Sequence, residues 1–243
     1  MPFVLSLVGL LLAHDAAPAI PFAENPISLF NGAVLVAACG LLVAPRILKW
    51  NWDVRYFGAS LFHISSLTLL CTVPCLCLFL YGSLPFAVRA GVFSIYIAVH
   101  IWWSRRFILL YSPLAHDTAL RDFLYQEEDD AVYYMQRADK QLMDKHWKFN
   151  QIPKDLYFGL GLLVSFLILP GLRSLSAAVG LPVIHVYLLV SSPAISVMVL
   201  GLATKAWLVF YYYPAKITKK TGKRVFVDMT GKPGPYNVRK GNG

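Results

Sequence analysis

Two histidines, His63 and His100, lie inside apolar stretches of this 243-residue chain, and imidazole is the side chain there best suited to hold a metal or a haem iron. The two stretches are joined by the short Gly82-Ser83 turn, so they form an antiparallel hairpin in which both rings lie at a similar depth. Facing each other across a gap, two neutral imidazoles could ligate a haem b iron from both sides. The plainer alternative is that each ring hydrogen-bonds a neighbour, and helices joined by so tight a turn pack too closely for a porphyrin. No cofactor is therefore expected, with haem b on His63 and His100 as the alternative. His185 lies near the opposite end of its own stretch and does not join them.

The other chemistry-bearing residues assemble no set. Cys39, Cys71, Cys75 and Cys77 all fall in apolar segments without a C-x-x-C pair, and they read as small packing residues. Four consecutive acids, Glu127 to Asp130, would point around a helix axis and could not converge on one ion. The dipeptides His14-Asp15 and His116-Asp117 fall on opposite sides of the membrane in the topology below, so they build no joint site. Phosphate-binding glycine loops and a nucleophile elbow are absent from the sequence. No catalytic and no metal-binding residue is assigned.

The elements that would carry these residues are dictated by lipid. Hydrophobic residues make up 57% of the chain and charged ones 14%, against about 25% charged in a soluble domain. Mean hydropathy is +0.56. Apolar stretches predict five transmembrane helices, at about 27–43, 57–81, 84–103, 156–172 and 183–207. The fold class expected is an all-α membrane protein. Residues 1–26 form an N-terminal segment with a short apolar helix that lacks the basic start of a secretory signal.

Charge placement sets the orientation. Of 22 Lys and Arg residues, 20 fall in three segments, 46–56, 104–155 and 205–243, and only Arg89 and Arg173 lie elsewhere. Five alternating spans put those three segments on one side, the cytoplasmic or matrix side, and the N-terminus outside. The same placement explains the net charge of +9 without nucleic acid, for which no recognition signature is present. A bacterial or a mitochondrial inner membrane fits.

Two polar segments remain. The inside loop 104–155 reads after Pro113 as an amphipathic surface helix, with an acidic first half and a basic second half and the pairs Asp117 with Arg121 and Asp144 with Lys148. The tail 213–243 offers two short strands, Ala215 to Thr218 and Lys223 to Met229, as a small β-hairpin that needs a partner strand or a surface to be stable. Its basic residues Lys216, Lys219, Lys220, Lys223 and Arg224 are expected to contact anionic lipid or a protein partner. Arg89 and Lys205 read as interface anchors, and Ser192 with Ser196 as a small-residue packing face.

The spans as drawn hold no Asp or Glu, which argues against an ion-coupled carrier. The leading expectation is a non-catalytic subunit or assembly component of a larger membrane complex, in contact with lipids and other subunits. A haem-bearing electron-transfer protein and a channel or carrier with a carbonyl-lined path are the alternatives.

Overall fold

The computed structural model describes residues 2–50, 53–146 and 169–228. Within them the helices are α1 (Pro2–Ala16), α2 (Pro26–Ile47), α3 (Val54–Cys71), α4 (Val73–Tyr81), α5 (Phe86–Tyr111), α6 (Thr118–Leu124), α7 (Gln136–His146), α8 (Leu172–Val179), α9 (Val183–Trp207) and α10 (Tyr213–Thr221). The strands are β1 (Tyr125–Glu127), β2 (Ala131–Met135) and β3 (Arg224–Asp228).

Local chemistry sets most of these boundaries. Asn25 caps α2, its side chain accepting from the Ile27 amide at 3.0 Å, with Pro26 pre-shaped for the first turn. Asp53 caps α3 in the same way through the Arg55 amide. Helices α5 and α9 both follow a proline, Pro85 and Pro182. Helix α8 stops at Gly180, whose φ of 70° favours glycine and whose missing Cβ makes room for Ser83. The Ser83 amide donates there to the Val179 carbonyl at 2.7 Å.

Among the described residues, four helical stretches are long and apolar enough to cross a membrane: Pro26–Ile47, Val54–Tyr81, Phe86–Ala115 and Ile195–Thr221. There are up to five if Leu172–Val179 and Val183–Pro193, bent by 102°, count as one. This architecture is compatible with an integral membrane protein. Most of the span expected at 156–172 lies outside the described residues.

The bundle has two ends with different contents. At one, the C-terminal ends of α5 and α9 meet a cap built from α6, the sheet, α7 and α10, around buried Tyr111, Leu114, Leu124, Tyr134, Val209 and Val225. At the other, α1, the start of α2, α4, α8 and the start of α9 close over Leu12, Ile27, Val73, Leu172, Leu181 and Val186. Described residues of the three basic segments meet at the cap end: Arg224 reaches Asp53, Lys223 reaches Glu127 and Lys205 reaches Asp139. Helix α7 packs at the cap end through Ala138, and α8 at the opposite end through Leu172 and Val179.

Two expectations fail. The loop after Pro113 is not one helix: β1 and β2 interrupt it as an antiparallel hairpin, pairing Tyr125 with Tyr134 and Glu127 with Val132. Ala131 to Met135 is rich in β-branched and aromatic residues, which suit a pleated surface, and the exposed acids Glu128, Asp129 and Asp130 fall in the turn. Asp117 caps α6 through the Leu120 amide instead of pairing with Arg121, which lies 3.7 Å from Asp122. Lys148 lies outside the described residues.

The tail hairpin also fails in its first half. Ala215 to Thr218 is part of α10, which continues α9 through the π-helical Leu208–Tyr212, takes Pro214 in its first turn and ends at Gly222 with φ of 74°. The second strand does form, and its partner comes from the loop. β3 lies parallel to β2, pairing Ala131 with Arg224 and Met135 with Asp228, in a three-stranded sheet of order β1-β2-β3. The small sheet makes the chain mostly helical instead of all-α.

Candidate functional site

Polar side chains inside the bundle gather at three levels. At mid-height, α9 packs against both α3 and α5. Its Ser196 side chain lies 2.6 Å from His100 Nε2 and 2.7 Å from the Tyr96 hydroxyl, which is itself 2.9 Å from Thr72. The partners fix the direction of this chain for a neutral ring. His100 Nδ1 lies 2.7 Å from the Tyr96 carbonyl, which can only accept, so Nδ1 carries the proton and Nε2 accepts from Ser196. Tyr96 then donates to Ser196, and Thr72 to Tyr96. Ser192, one turn earlier on α9, donates to the Cys71 carbonyl at 3.0 Å.

His63 turns elsewhere. Its Nδ1 donates to the Ala38 carbonyl of α2 at 3.0 Å, whereas His100 is held by α5 and α9. The two histidines thus engage different neighbouring helices, and an iron on His100 Nε2 would have to displace Ser196. Among the described residues no group of three His, Cys, Asp or Glu is placed to hold a metal ion.

At the end opposite the cap, His185 is fully buried and donates from Nε2 to the Leu12 carbonyl at 2.7 Å, with Asp15 3.7 Å from its Nδ1. Asn25 donates to the Ala13 carbonyl at 2.9 Å and accepts from Tyr81 at 2.9 Å, tying α1, α2 and α4 together. Arg89 folds back onto the end of α4, donating to the Phe79 carbonyl at 2.8 Å.

The cap end holds the densest site. Asp139, 2% exposed, accepts from the Tyr111 hydroxyl at 2.5 Å and forms an ion pair with Lys205 of α9. The Lys205 ammonium also lies 3.2 Å from Met143 Sδ. Tyr213 donates to the Tyr111 carbonyl at 2.8 Å, and Tyr125 to the Val209 carbonyl at 2.7 Å. Burial, reinforced by the Asp139 charge, pushes the Tyr125 and Tyr134 hydroxyls well above their ordinary value of 10.0, so both stay neutral beside the carboxylate. Lys205 is thus more than an interface anchor. Its partner comes from the loop 66 positions earlier, and the signal for it was a lysine in an apolar stretch, which needs a nearby anion.

A second ionic node joins the tail to the start of α3. Asp53 accepts from Arg55 at 2.7 Å and lies 3.4 Å from Arg224 of β3, where Asp53 also forms an isolated bridge with Phe226. Burial works to raise the Asp53 pKa, but the hydrogen bonds and charge of Arg55, with a contribution from Arg224, hold it below the ordinary 3.8. A depressed carboxylate stabilises the fold above its unfolded pKa, and that contribution is lost as pH falls through the folded value. Replacing Asp53 with Asn should cost about 1–2 kcal/mol near neutral pH, since both arginines are partly exposed. Thermal unfolding followed from pH 7 downward should find the wild-type advantage shrinking below about pH 4; an advantage independent of pH would remove the charge from the explanation.

The five basic residues expected at a lipid or partner surface divide into two groups. Lys223 pairs with Glu127 at 2.8 Å and Arg224 with Asp53, so these two hold the cap together. Lys216, Lys219 and Lys220 stand exposed on α10, Lys216 with its ammonium 4.4 Å from the Tyr212 ring centre. Comparison with protein-family models, with curated proteins and with solved structures finds no match.

Proposed function

We propose that the chain is an integral inner-membrane protein that serves as a non-catalytic subunit or assembly component of a larger complex, with the cap on the cytoplasmic or matrix side. One observation carries this reading. The cap is assembled from three sequence-distant segments at the ends of the long helices, and its internal ion pairs leave two oppositely charged surfaces outside. The exposed turn Glu128-Asp129-Asp130 is acidic, and the α10 face bearing Lys216, Lys219 and Lys220 is basic. A folded platform with separated charges at a membrane surface suits docking of a partner, because complementary charge fixes register and suppresses wrong partners. The sequence supports the orientation, because 20 of its 22 Lys and Arg residues fall in the three segments that five alternating spans put on one side.

Purification in mild detergent followed by mass measurement tests the role. The expected result is a particle heavier than the 27.2 kDa chain and its micelle, carrying stoichiometric partner chains. A stable monomer without partners would overturn it. Orientation is tested separately: cysteines introduced at Lys140 and Lys219 should react with an impermeant thiol reagent only from the cytoplasmic face. Labelling of the two from opposite faces would defeat the five-span arrangement.

A further inference from the structure

A cleft of about 370 Å³ opens where the stretches Phe86–Ala115 and Ile195–Thr221 end, between α10 on one side and α6 with β1 on the other. Its floor is apolar and aromatic, with Leu114, Tyr125 and Ile217 each less than a tenth exposed. Its rim carries Arg121, Lys216 and Lys220 against Asp122 and Glu127. The two acids are already matched, Asp122 by Arg121 at 3.7 Å and Glu127 by Lys223 at 2.8 Å. Among the described residues, the charge facing the cleft without a matching acid is therefore that of Lys216 and Lys220, one turn apart on α10.

We propose that this cleft binds the phosphate headgroup of an anionic membrane lipid. Lysine ammonium groups bind phosphate as point charges, and each basic side chain at a membrane surface adds about a factor of five in affinity for anionic lipid. The cleft volume falls in the range of sites for small molecules. Apolar surface for the rest of a lipid lies next to it: Ile108 and Leu109, within two turns of Ala115, are 48% and 60% exposed, and Tyr212 beside the rim is 40% exposed. A soluble phosphate would gain nothing from that surface or from the aromatic floor. The proposal rests on the membrane reading above but not on the subunit role.

The test uses the whole protein in a neutral detergent, with retained lipid counted by native mass spectrometry after addition of phosphatidylglycerol or phosphatidylcholine. Wild type should retain phosphatidylglycerol selectively. The K216Q/K220Q pair should weaken that binding about 30-fold, while K219Q, which removes the same type of charge from the same helix outside the cleft, should change it less than about twofold. A115W, which fills the cleft without altering charge, should abolish selectivity, and K216R/K220R should keep it, separating loss of charge from loss of fold. Equal weakening by K219Q, or full binding by A115W, would replace the cleft with diffuse surface attraction. Displacement of phosphatidylglycerol by inorganic phosphate would assign the site to a soluble anion and overturn the lipid assignment. A chain that keeps its partner subunits yet shows no lipid selectivity would sink this cleft and leave the subunit reading standing.

Discussion

Replacing Asp139 with alanine should destabilise the protein by about 3–5 kcal/mol, the range for breaking a buried ion pair by removing one member. Asp139 is 2% exposed and the Lys205 side chain 15%, so neither charge is relieved by water where it stands. The substitution strips Lys205 of its counter-ion and leaves the buried Tyr111 hydroxyl without its acceptor at 2.5 Å. Both losses act on the junction of α5, α7 and α9. The pair itself is not required for stability in the same degree, because desolvating two charges offsets most of their attraction. The double variant D139L/K205M should therefore recover most of what D139A loses, although Tyr111 stays unsatisfied and keeps about 1–3 kcal/mol of the deficit. Thermal unfolding in detergent, read by tryptophan fluorescence, checks both. A loss under about 1 kcal/mol for D139A would mean that Lys205 escapes to solvent along its own stem, and the buried node would lose its importance.

Asp139 also marks where the sequence stopped being readable. The long helices were legible because hydropathy over about 20 residues is a local property, and the grouping of chain segments at two ends was legible because basic residues are distributed one-sidedly. Asp139 sits among Arg137, Lys140 and Asp144, so on the sequence it looks solvated. Only the sheet, by turning the chain at Glu128 to Asp130, aims α7 at Lys205. That sheet was hidden for the same reason. Its central pairing joins Ala131–Met135 to Arg224–Asp228 across more than ninety positions, and no short-range pattern announces a parallel partner so distant. The alternation within β3 was readable, with Val225 and Val227 on one face and Phe226 on the other. What the pattern could not say is that Ala215 to Thr218, which looked like its hairpin mate, would obey Pro214 and Gly222 and stay helical. His100 is a milder case of the same limit. Its position was visible, but its contact with Ser196 depends on α9 packing against both α3 and α5.

The alternation of β3 makes the second large effect specific to one residue of a neighbouring pair. Val225 is 3% exposed and packs into the cap core beside its strand partner Val132, so Val225→Asp places a carboxylate in an apolar interior. Burying it would cost well over about 3 kcal/mol, more than a five-residue edge strand can contribute. The strand should therefore leave the sheet and the helices remain folded, which limits the global loss. Release of β3 also breaks the contacts of Arg224 with Asp53 and of Lys223 with Glu127, so the acidic turn and the start of α3 loosen together. Phe226→Asp should do far less, because that side chain lies on the other, partly exposed face near Tyr133, 6.3 Å between ring centres. Limited proteolysis in detergent separates the two: V225D should be clipped near Gly222 about a hundredfold faster than wild type, the factor that a shift of roughly 3 kcal/mol in local opening gives. F226D should be clipped within about tenfold of the wild-type rate. Equal sensitivity of the two variants would show that β3 is not held by its Val225 face, and the cap would then need another explanation for how the tail is retained.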